Sequence, residues 1–485
     1  MEKFEATFTS LRKYQCPQWF ADAKFGIWSH WGPQSVPMAG DWYARNMYIQ
    51  GTPQYRHHLR TYGHPSKFGY KDICKLWKAE NFEPDYLMEL YRKAGARYFC
   101  GQIAHHDNFI NFPTKFNDMN SAKVGPMKDI CGLWKKAAEK QGLPFGLGEH
   151  LGRSFAWMNV NKGCDAEGPY KGVRYDGWDE NYQTFYHKNQ EHMNLDMGIG
   201  PSRPQYTRNS QYHQYWMNVI KEAIDLYQPD LLYTDGGLPF GELFQADESD
   251  PMYQPGLEVV SYLYNTSIRK YGENRAVYTQ KDWRDQIYTV GTYDIESSKL
   301  PDIFPTPWQT EICIGPWFYD SREPYLKPLE LIETFVDILA KNGTLLLNIP
   351  QLPDGTLDEE SVFFLQEIGK WFSVCAEGIY DTRPWRIFKE GVTVPHQETA
   401  AGKKMEWTET DFYFTSKSDD VFAFVMKVPS NGTVVLRSFA ETPIECVSLL
   451  GGGLLEFEQK YGILTVKLPE KLPTEYINCL KIHLK

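Results

Sequence analysis

Short apolar runs alternate with amphipathic stretches over the first three quarters of the chain. The runs are "KFGIWSHWG" (24–32), "ARYFCGQIAHH" (96–106), "LPFGLGEHL" (143–151), "PDLLYTD" (229–235), "RAVYTQ" (275–280), "TYDIES" (292–297), "TEICIG" (310–315) and "TLLLNIP" (344–350). Strands that are apolar on consecutive residues are covered on both faces, as in a parallel α/β sheet. Between them "PDYLMELYRKAG", "CGLWKKAAEKQG", "YHQYWMNVIKEAIDLYQ" and "PLELIETFVDILAKNG" carry helical periodicity, and three of them end on the Gly expected just past a helix. Eight strands is the number a closed (β/α)8 barrel requires.

Past the helical "FFLQEIGKWFSVCAEG" and the turn-rich "DTRPW" the period changes to two. "DFYFTS", "DVFAFVMKV", "GTVVLRSF", "IECVSLL", "LLEFEQ", "GILTVKL" and "INCLKIHL" are separated by Gly, Asn, Asp and Pro turns. They predict an antiparallel β-sandwich of about 100 residues. The expected division is a barrel over 1–380 and a sandwich over 381–485, in keeping with a 485-residue chain that exceeds one compact core. The sandwich segments place no aromatic cluster on one surface, so a structural cap is expected of them.

The net charge of −11 argues against nucleic-acid or anionic-membrane partners, both of which need a basic field. No stretch approaches the roughly 18 apolar residues of a membrane span. The first residues lack the apolar core of a signal peptide, so the expectation is a cytoplasmic protein, or a periplasmic or secreted one whose leader has been removed. Nine scattered cysteines without a CxxC pair argue against a disulfide framework or zinc ribbon. With 15 Trp and 31 Tyr, aromatic surface is available for stacking on sugar rings.

At the carboxyl ends of the expected strands stand His30, His105, His106, Glu149, His150, Asp235, Glu296 and Glu311. A (β/α)8 barrel keeps its chemistry at that end, so these side chains should converge on one face. Acids and imidazoles ringed by Trp and Tyr fit a polyhydroxylated neutral ligand. Two carboxylates suffice for glycoside hydrolysis, one at the anomeric carbon and one protonating the leaving oxygen. Asp235 closes "PDLLYTDGG"; its two following glycines leave room for substrate, which makes it the expected nucleophile. Adjacent His105 and His106 point to opposite faces of a strand and no HExxH occurs, so no metal is expected. Neither a GxGxxG after a strand nor a P-loop is present, so no cofactor is expected.

The segments "WFADAKFGIWSHWGPQSVP", "DWYARNMY", "HHDNF", "FGLGEHLGRSFAWM", "PDLLYTDGG", "PWQTEICIGPWFY" and "NGTLLLNIP", in that order, resemble the retaining α-L-fucosidases of glycoside hydrolase family 29 over residues 17 to about 385. "GEHLGRS", "LYTDGG" and "PWQT" are similar to the branch that prefers α-1,3/1,4-linked fucose on Lewis-type glycans. The resemblance implies a (β/α)8-like catalytic domain with a C-terminal β-sandwich, and fucosylated glycans as substrates. It implies Asp235 as nucleophile and a fucose pocket lined by His30, Asp41, Trp42, His105 and His106, with Glu149 a further candidate. Tyr233, Trp308 and Glu311 complete the candidate substrate-binding set. In the broad-specificity branch the acid/base is the glutamate of a "WE" motif, a place that reads Trp308-Gln309 here. In the other branch it is the glutamate of an "ERG" segment, matched by Glu296 in "YDIESSKL", where Ser-Ser replaces Arg-Gly. Glu296 is therefore the first choice and Glu311 the reserve. Two rival readings remain: a glycan-binding protein on this scaffold that has lost catalysis, and a glycosidase for another sugar.

Overall fold

The computed structural model describes residues 3–188, 206–241, 248–395, 405–440 and 442–485. Eight parallel strands close a barrel in chain order: β1 (Phe25–Ser29), β2 (Tyr98–Ala104), β3 (Phe145–Glu149), β4 (Leu231–Thr234), β5 (Val277–Gln280), β6 (Thr292–Glu296), β7 (Trp308–Cys313) and β8 (Gly343–Asn348). Each of the expected runs forms its strand. The seventh begins two residues earlier than its apolar pattern suggests, because Trp308 and Gln309 pair with Gly343 and Thr344 of β8.

Alternation along the strands separates two apolar layers. Trp28, Tyr98, Cys100, Leu231, Tyr233, Val277 and Leu346 pack together inside the barrel. Their neighbours Ile27, Phe99, Leu147, Leu232 and Leu345 face the helices outside. These helices are α1 (Pro84–Lys93), α2 (Ile130–Lys140), α3 (Ser210–Tyr227), α4 (Gln254–Tyr271), α5 (Pro328–Ala340) and α6 (Glu359–Ile379). Helix α1 illustrates the local code: Pro84 opens it, Leu87, Met88 and Tyr91 form its buried stripe, and Gly95 follows with φ 108°. A Cβ on Gly95 would also lie 2.5 Å from the Phe372 ring of α6.

Strand β6 is the exception to the layering. Thr292 and Asp294 are buried inside, but Tyr293 and Ile295 on its outer face are only half-buried. The connection 297–307 to β7 contains no helix to cover them.

Beyond α6 the chain forms two antiparallel sheets. One has the order β14-β13-β17-β11-β10-β9 and the other β12-β16-β15, and a separate core that includes Phe412, Phe414, Val434, Leu449 and Ile482 lies between them. The first sheet includes β9 (Arg383–Glu390), β10 (Phe412–Lys417), β11 (Asp420–Val425), β13 (Ile444–Leu449), β14 (Gly453–Leu454) and β17 (Asn478–Leu484). The second includes β12 (Thr433–Leu436), β15 (Phe457–Lys460) and β16 (Ile463–Lys467). Strand β9 lies just past the "DT" of the segment expected to be turn. The larger sheet sits on α5 and α6, where Trp371 donates its indole N–H to the Ile477 carbonyl at 2.7 Å and Thr415 donates to that of Gly378 at 2.8 Å. Among the described residues no helix is long and apolar enough to cross a membrane.

Candidate active site

The strand ends converge, as expected, on one pocket at the carboxyl end of the barrel. Asp235 follows β4 in phase with Leu231 and Tyr233, which already point inward, so its side chain enters the pocket rather than the helix layer. Its Oδ1 lies 2.8 Å from Lys281 Nζ, and its Oδ2 lies 3.2 Å from His106 Nε2 and 3.4 Å from Arg153 Nη1. Burial alone would push this carboxyl up, but the Lys281 and Arg153 charges and the His106 hydrogen bond override it. They hold Asp235 well below the usual carboxylate range. His106 Nδ1 faces the His150 carbonyl at 2.7 Å while Nε2 faces Asp235, so the ring is held edge-on between two acceptors.

Lys281, the residue after β5, occupies the corner where three acids meet. Its Nζ contacts Asp235 Oδ1 at 2.8 Å, Glu296 Oε2 at 2.6 Å and Glu311 Oε1 at 2.7 Å. Burial favours a neutral amine, yet the surrounding carboxylates raise Lys281 well above the ordinary lysine value, so it stays an ammonium. Glu296 and Glu311 are register partners on β6 and β7 but occupy different environments. The Glu296 side chain is 47 % exposed at the mouth; that of Glu311 is 1 % exposed and receives the Tyr233 hydroxyl at 3.0 Å. Below it Asp294 accepts from Gln309 Nε2 at 2.9 Å, and Gln309 Oε1 accepts from the Tyr98 hydroxyl at 2.9 Å. Burial and the Glu311 charge push Asp294 well above the carboxylate range, so it holds the proton that joins the two acids.

The opposite wall is built of histidines. Burial lowers His30 to about 3 and drives His105 and His150 well below the ordinary imidazole value, so all three are neutral. Both ring nitrogens of His30, Nδ1 of His150 and the Trp28 indole N–H have no hydrogen-bond partner among the described residues. Buried polar atoms are rarely left unpaired, and a neutral imidazole offers one donor and one acceptor. Hydroxyl groups, which do both, are the matching ligand. His30, His105 and His150 also bring ligand atoms within 4.8 Å of one another, a spacing that could hold a metal ion.

Asp41 pins the rim: its carboxylate accepts from the backbone N–H of Phe318 at 2.7 Å and of Trp317 at 3.3 Å, tying the loop after β1 to the loop after β7. Burial raises Asp41 to about 6. Trp42 follows with φ 58°, a left-handed backbone that turns its half-buried ring toward Trp157 at 6.2 Å. Trp317 and Phe318 lie over His30, their ring centroids 5.4 and 4.8 Å away.

Of the residues expected from sequence, the pocket brings together Asp235, Glu296, His30, Asp41, Trp42, His105, His106, Tyr233 and Glu311. Two do not line it. Glu149 is wholly buried, accepting from Trp216 Nε1 at 3.1 Å and the Gly152 N–H at 3.2 Å, and burial raises it to about 7. Trp308 begins β7 at the far end of the strand, packs in the helix layer and donates to the Lys341 carbonyl at 2.9 Å. The space beside Asp235 also has a different occupant from the one expected. A Cβ on Gly236 would lie 2.5 Å from Arg153 Nη2 and from the Tyr206 hydroxyl, so the glycine admits these groups rather than substrate. Sequence reasoning missed Arg153 and Lys281. Lys281 stands directly after an apolar strand, the same signal that found the histidines.

A family model described as alpha-L-fucosidase matches residues 1–377, and a second, described as alpha-L-fucosidase C-terminal domain, matches residues 405–483. Among curated relatives, the tissue alpha-L-fucosidase of Mus musculus is 26 % identical over 484 residues, covering 97 % of this chain and 92 % of its own. That of Homo sapiens is 26 % identical over 458 residues, covering 93 % and 84 %. Among solved structures, Thermotoga maritima alpha-fucosidase in complex with fucose superposes with a TM-score of 0.74 at 24 % identity, covering 99 % of this chain and 100 % of that one. A Bacteroides thetaiotaomicron alpha-L-fucosidase, trapped as a covalent intermediate, does so with a TM-score of 0.66 at 16 % identity, covering 96 % and 95 %.

Proposed function

The chain belongs to the alpha-L-fucosidase family of glycoside hydrolases, and from that premise we propose that it removes terminal α-1,3/1,4-linked L-fucose from Lewis-type glycans with retention of configuration, through a fucosyl-enzyme intermediate. We also propose that the barrel over residues 1–380 carries this chemistry and that residues 381–485 cap it.

The observation that carries the mechanism is the shared contact on Lys281. Asp235 Oδ1 lies 2.8 Å and Glu296 Oε2 2.6 Å from the same Nζ. The two oxygens are therefore no farther apart than those contacts laid end to end. That fits the roughly 5–5.5 Å of a retaining pair and falls short of the roughly 6.5–9.5 Å of an inverting one. Asp235, ionised and buried, attacks the anomeric carbon while Glu296 gives its proton to the departing glycosidic oxygen. Glu296 then takes a proton from water, whose oxygen attacks the anomeric carbon and releases Asp235 and free fucose. Glu296 is preferred to Glu311 because the leaving group departs through the mouth, where Glu296 is exposed; Glu311 is sealed beneath Lys281. The neutral histidines would take the sugar hydroxyls, and Trp317 and Phe318 would cover its apolar face. The linkage preference rests on the "GEHLGRS", "LYTDGG" and "PWQT" segments.

The test is early-time proton NMR of fucose release from an α-1,2-linked glycan and a branched α-1,3/1,4-linked one, with Asp235→Ala and Glu296→Gln beside wild type. Expected are α-fucose as the first anomer, release from the branched substrate alone, and loss of turnover in both variants. A first product in the β form would sink the retaining mechanism. Absence of release from either glycan would favour the binding-protein reading.

A further inference from the structure

Trp283 is 58 % exposed although it lies two residues after Lys281, on the loop that leaves β5 at the pocket end of the barrel. Two residues of extended chain span at most roughly 7 Å, so its Cα stays at the rim. The backbone on either side is held firmly. Lys281 donates its N–H to the Gly236 carbonyl at 2.6 Å, and Asp282 donates its N–H to Gln280 Oε1 at 2.6 Å. Asp282 itself, 1 % exposed, accepts from the Arg284 N–H at 3.1 Å, from its Nε at 2.9 Å and from its Nη2 at 2.6 Å. Arg284 Nη2 also reaches the buried Tyr253 hydroxyl at 2.7 Å. A large apolar ring is thus presented to solvent from a rigid turn next to the ammonium that joins Asp235 to Glu296.

We propose that Trp283 is a stacking platform for the sugar on the leaving-group side of the scissile bond. The occupant is the C–H face of a neutral pyranose, such as the galactose or N-acetylglucosamine ring that carries the fucose. Glu296, the exposed acid on the same lysine, faces the oxygen through which that saccharide leaves, so the ring just beyond it arrives at the rim that holds Trp283. The inference rests on the fucosidase reading and assigns its leaving-group subsite.

The experiment compares fluoride release from α-L-fucosyl fluoride, whose leaving group has no ring, with fucose release from a Lewis trisaccharide. For Trp283→Ala the expected result is a fall in kcat/KM of about three- to tenfold on the trisaccharide with the fluoride unchanged within twofold, and Trp283→Phe should retain most activity. An equal loss on both substrates, or none on the trisaccharide, would overturn the proposal. A second readout needs no turnover. The indole N–H resonance of Trp283, assigned by its absence in Trp283→Phe, should shift when the whole enzyme is titrated with N-acetyllactosamine; an unmoved resonance also overturns it. Wild-type enzyme inert on both substrates would count against the fucosidase reading, while the indole titration would still decide Trp283.

Discussion

Replacing Lys281 by Met keeps much of the side-chain length and removes the charge on which three carboxylates converge. Deleting one member of a buried ion cluster leaves its partners uncompensated, at a cost on the order of 3–5 kcal/mol. The consequence for catalysis follows from what keeps Asp235 ionised. Burial opposes ionisation, and Lys281 is the strongest of the groups that overcome it. Without it Asp235 binds its proton at higher pH and loses nucleophilic form, so kcat/KM at pH 7 should fall about 10²–10³-fold and the acid limb of the pH profile should move upward. The stability signs agree. In the wild type Lys281 is raised, so its contribution is complete below the ordinary lysine value and lost only as pH climbs through the higher folded one. Asp235 is depressed, so its contribution is complete above the ordinary carboxylate value and lost only as pH falls through the lower folded one. The Lys281–Asp235 pair is therefore flat across neutral pH, whereas the variant should destabilise as pH rises and its buried acids ionise. The assay is kcat/KM on an aryl fucoside from pH 4 to 9 with urea melts at the same pH values. An unmoved acid limb with activity within threefold of wild type would refute the reasoning.

Glu149 has the opposite sign: its carboxyl is raised to about 7, so the wild type loses stability as pH climbs from the ordinary glutamate value through 7. Glu149→Gln should abolish that loss, worth on the order of 3 kcal/mol once ionisation is complete, and unfolding curves at pH 5 and 8.5 that still differ as in wild type would contradict it. Trp308→Phe takes from the Lys341 carbonyl one of its two donors, leaving the Phe304 N–H, and opens a gap in the helix layer. It should cost about 2–3 kcal/mol of stability while leaving kcat/KM of the folded enzyme within twofold; a selective rise in KM would return Trp308 to the pocket.

The barrel was legible because burial on both faces writes each strand as a continuous apolar run, and the polar residue that ends the run then marks the pocket. Strand β7 was read two residues late because its interior positions, Gln309 and Glu311, are polar. They are buried only because Tyr98, Asp294, Tyr233 and Lys281 satisfy them, a long-range fact with no local trace. Strand β9 was missed for a related reason: at the edge of its sheet it carries Arg383, Pro384, Arg386 and Lys389, a composition an edge tolerates and a pattern search reads as turn. Trp308 and Glu149 had the right chemistry at positions turned away from the pocket. Lys281 and Arg153 lay in the right places, yet their meaning depends on acids brought to them from β4, β6 and β7.

The outer face of β6, covered by Tyr288 and Phe304 and not by a helix of the connection that follows it, separates two kinds of constraint on the proposed catalytic pair. Asp235 ends a strand wrapped on all sides, where neighbouring changes propagate into packed helices. Glu296 ends a strand followed by Ser297, at φ 48°, whose N–H bonds the Glu311 carbonyl, and by Ser298, whose carbonyl takes the Thr310 hydroxyl, on a connection that contains no helix. Selection can therefore rewrite the ground around the proposed proton donor, and with it the choice of leaving group, while the half of the site proposed to hold the sugar stays as it is.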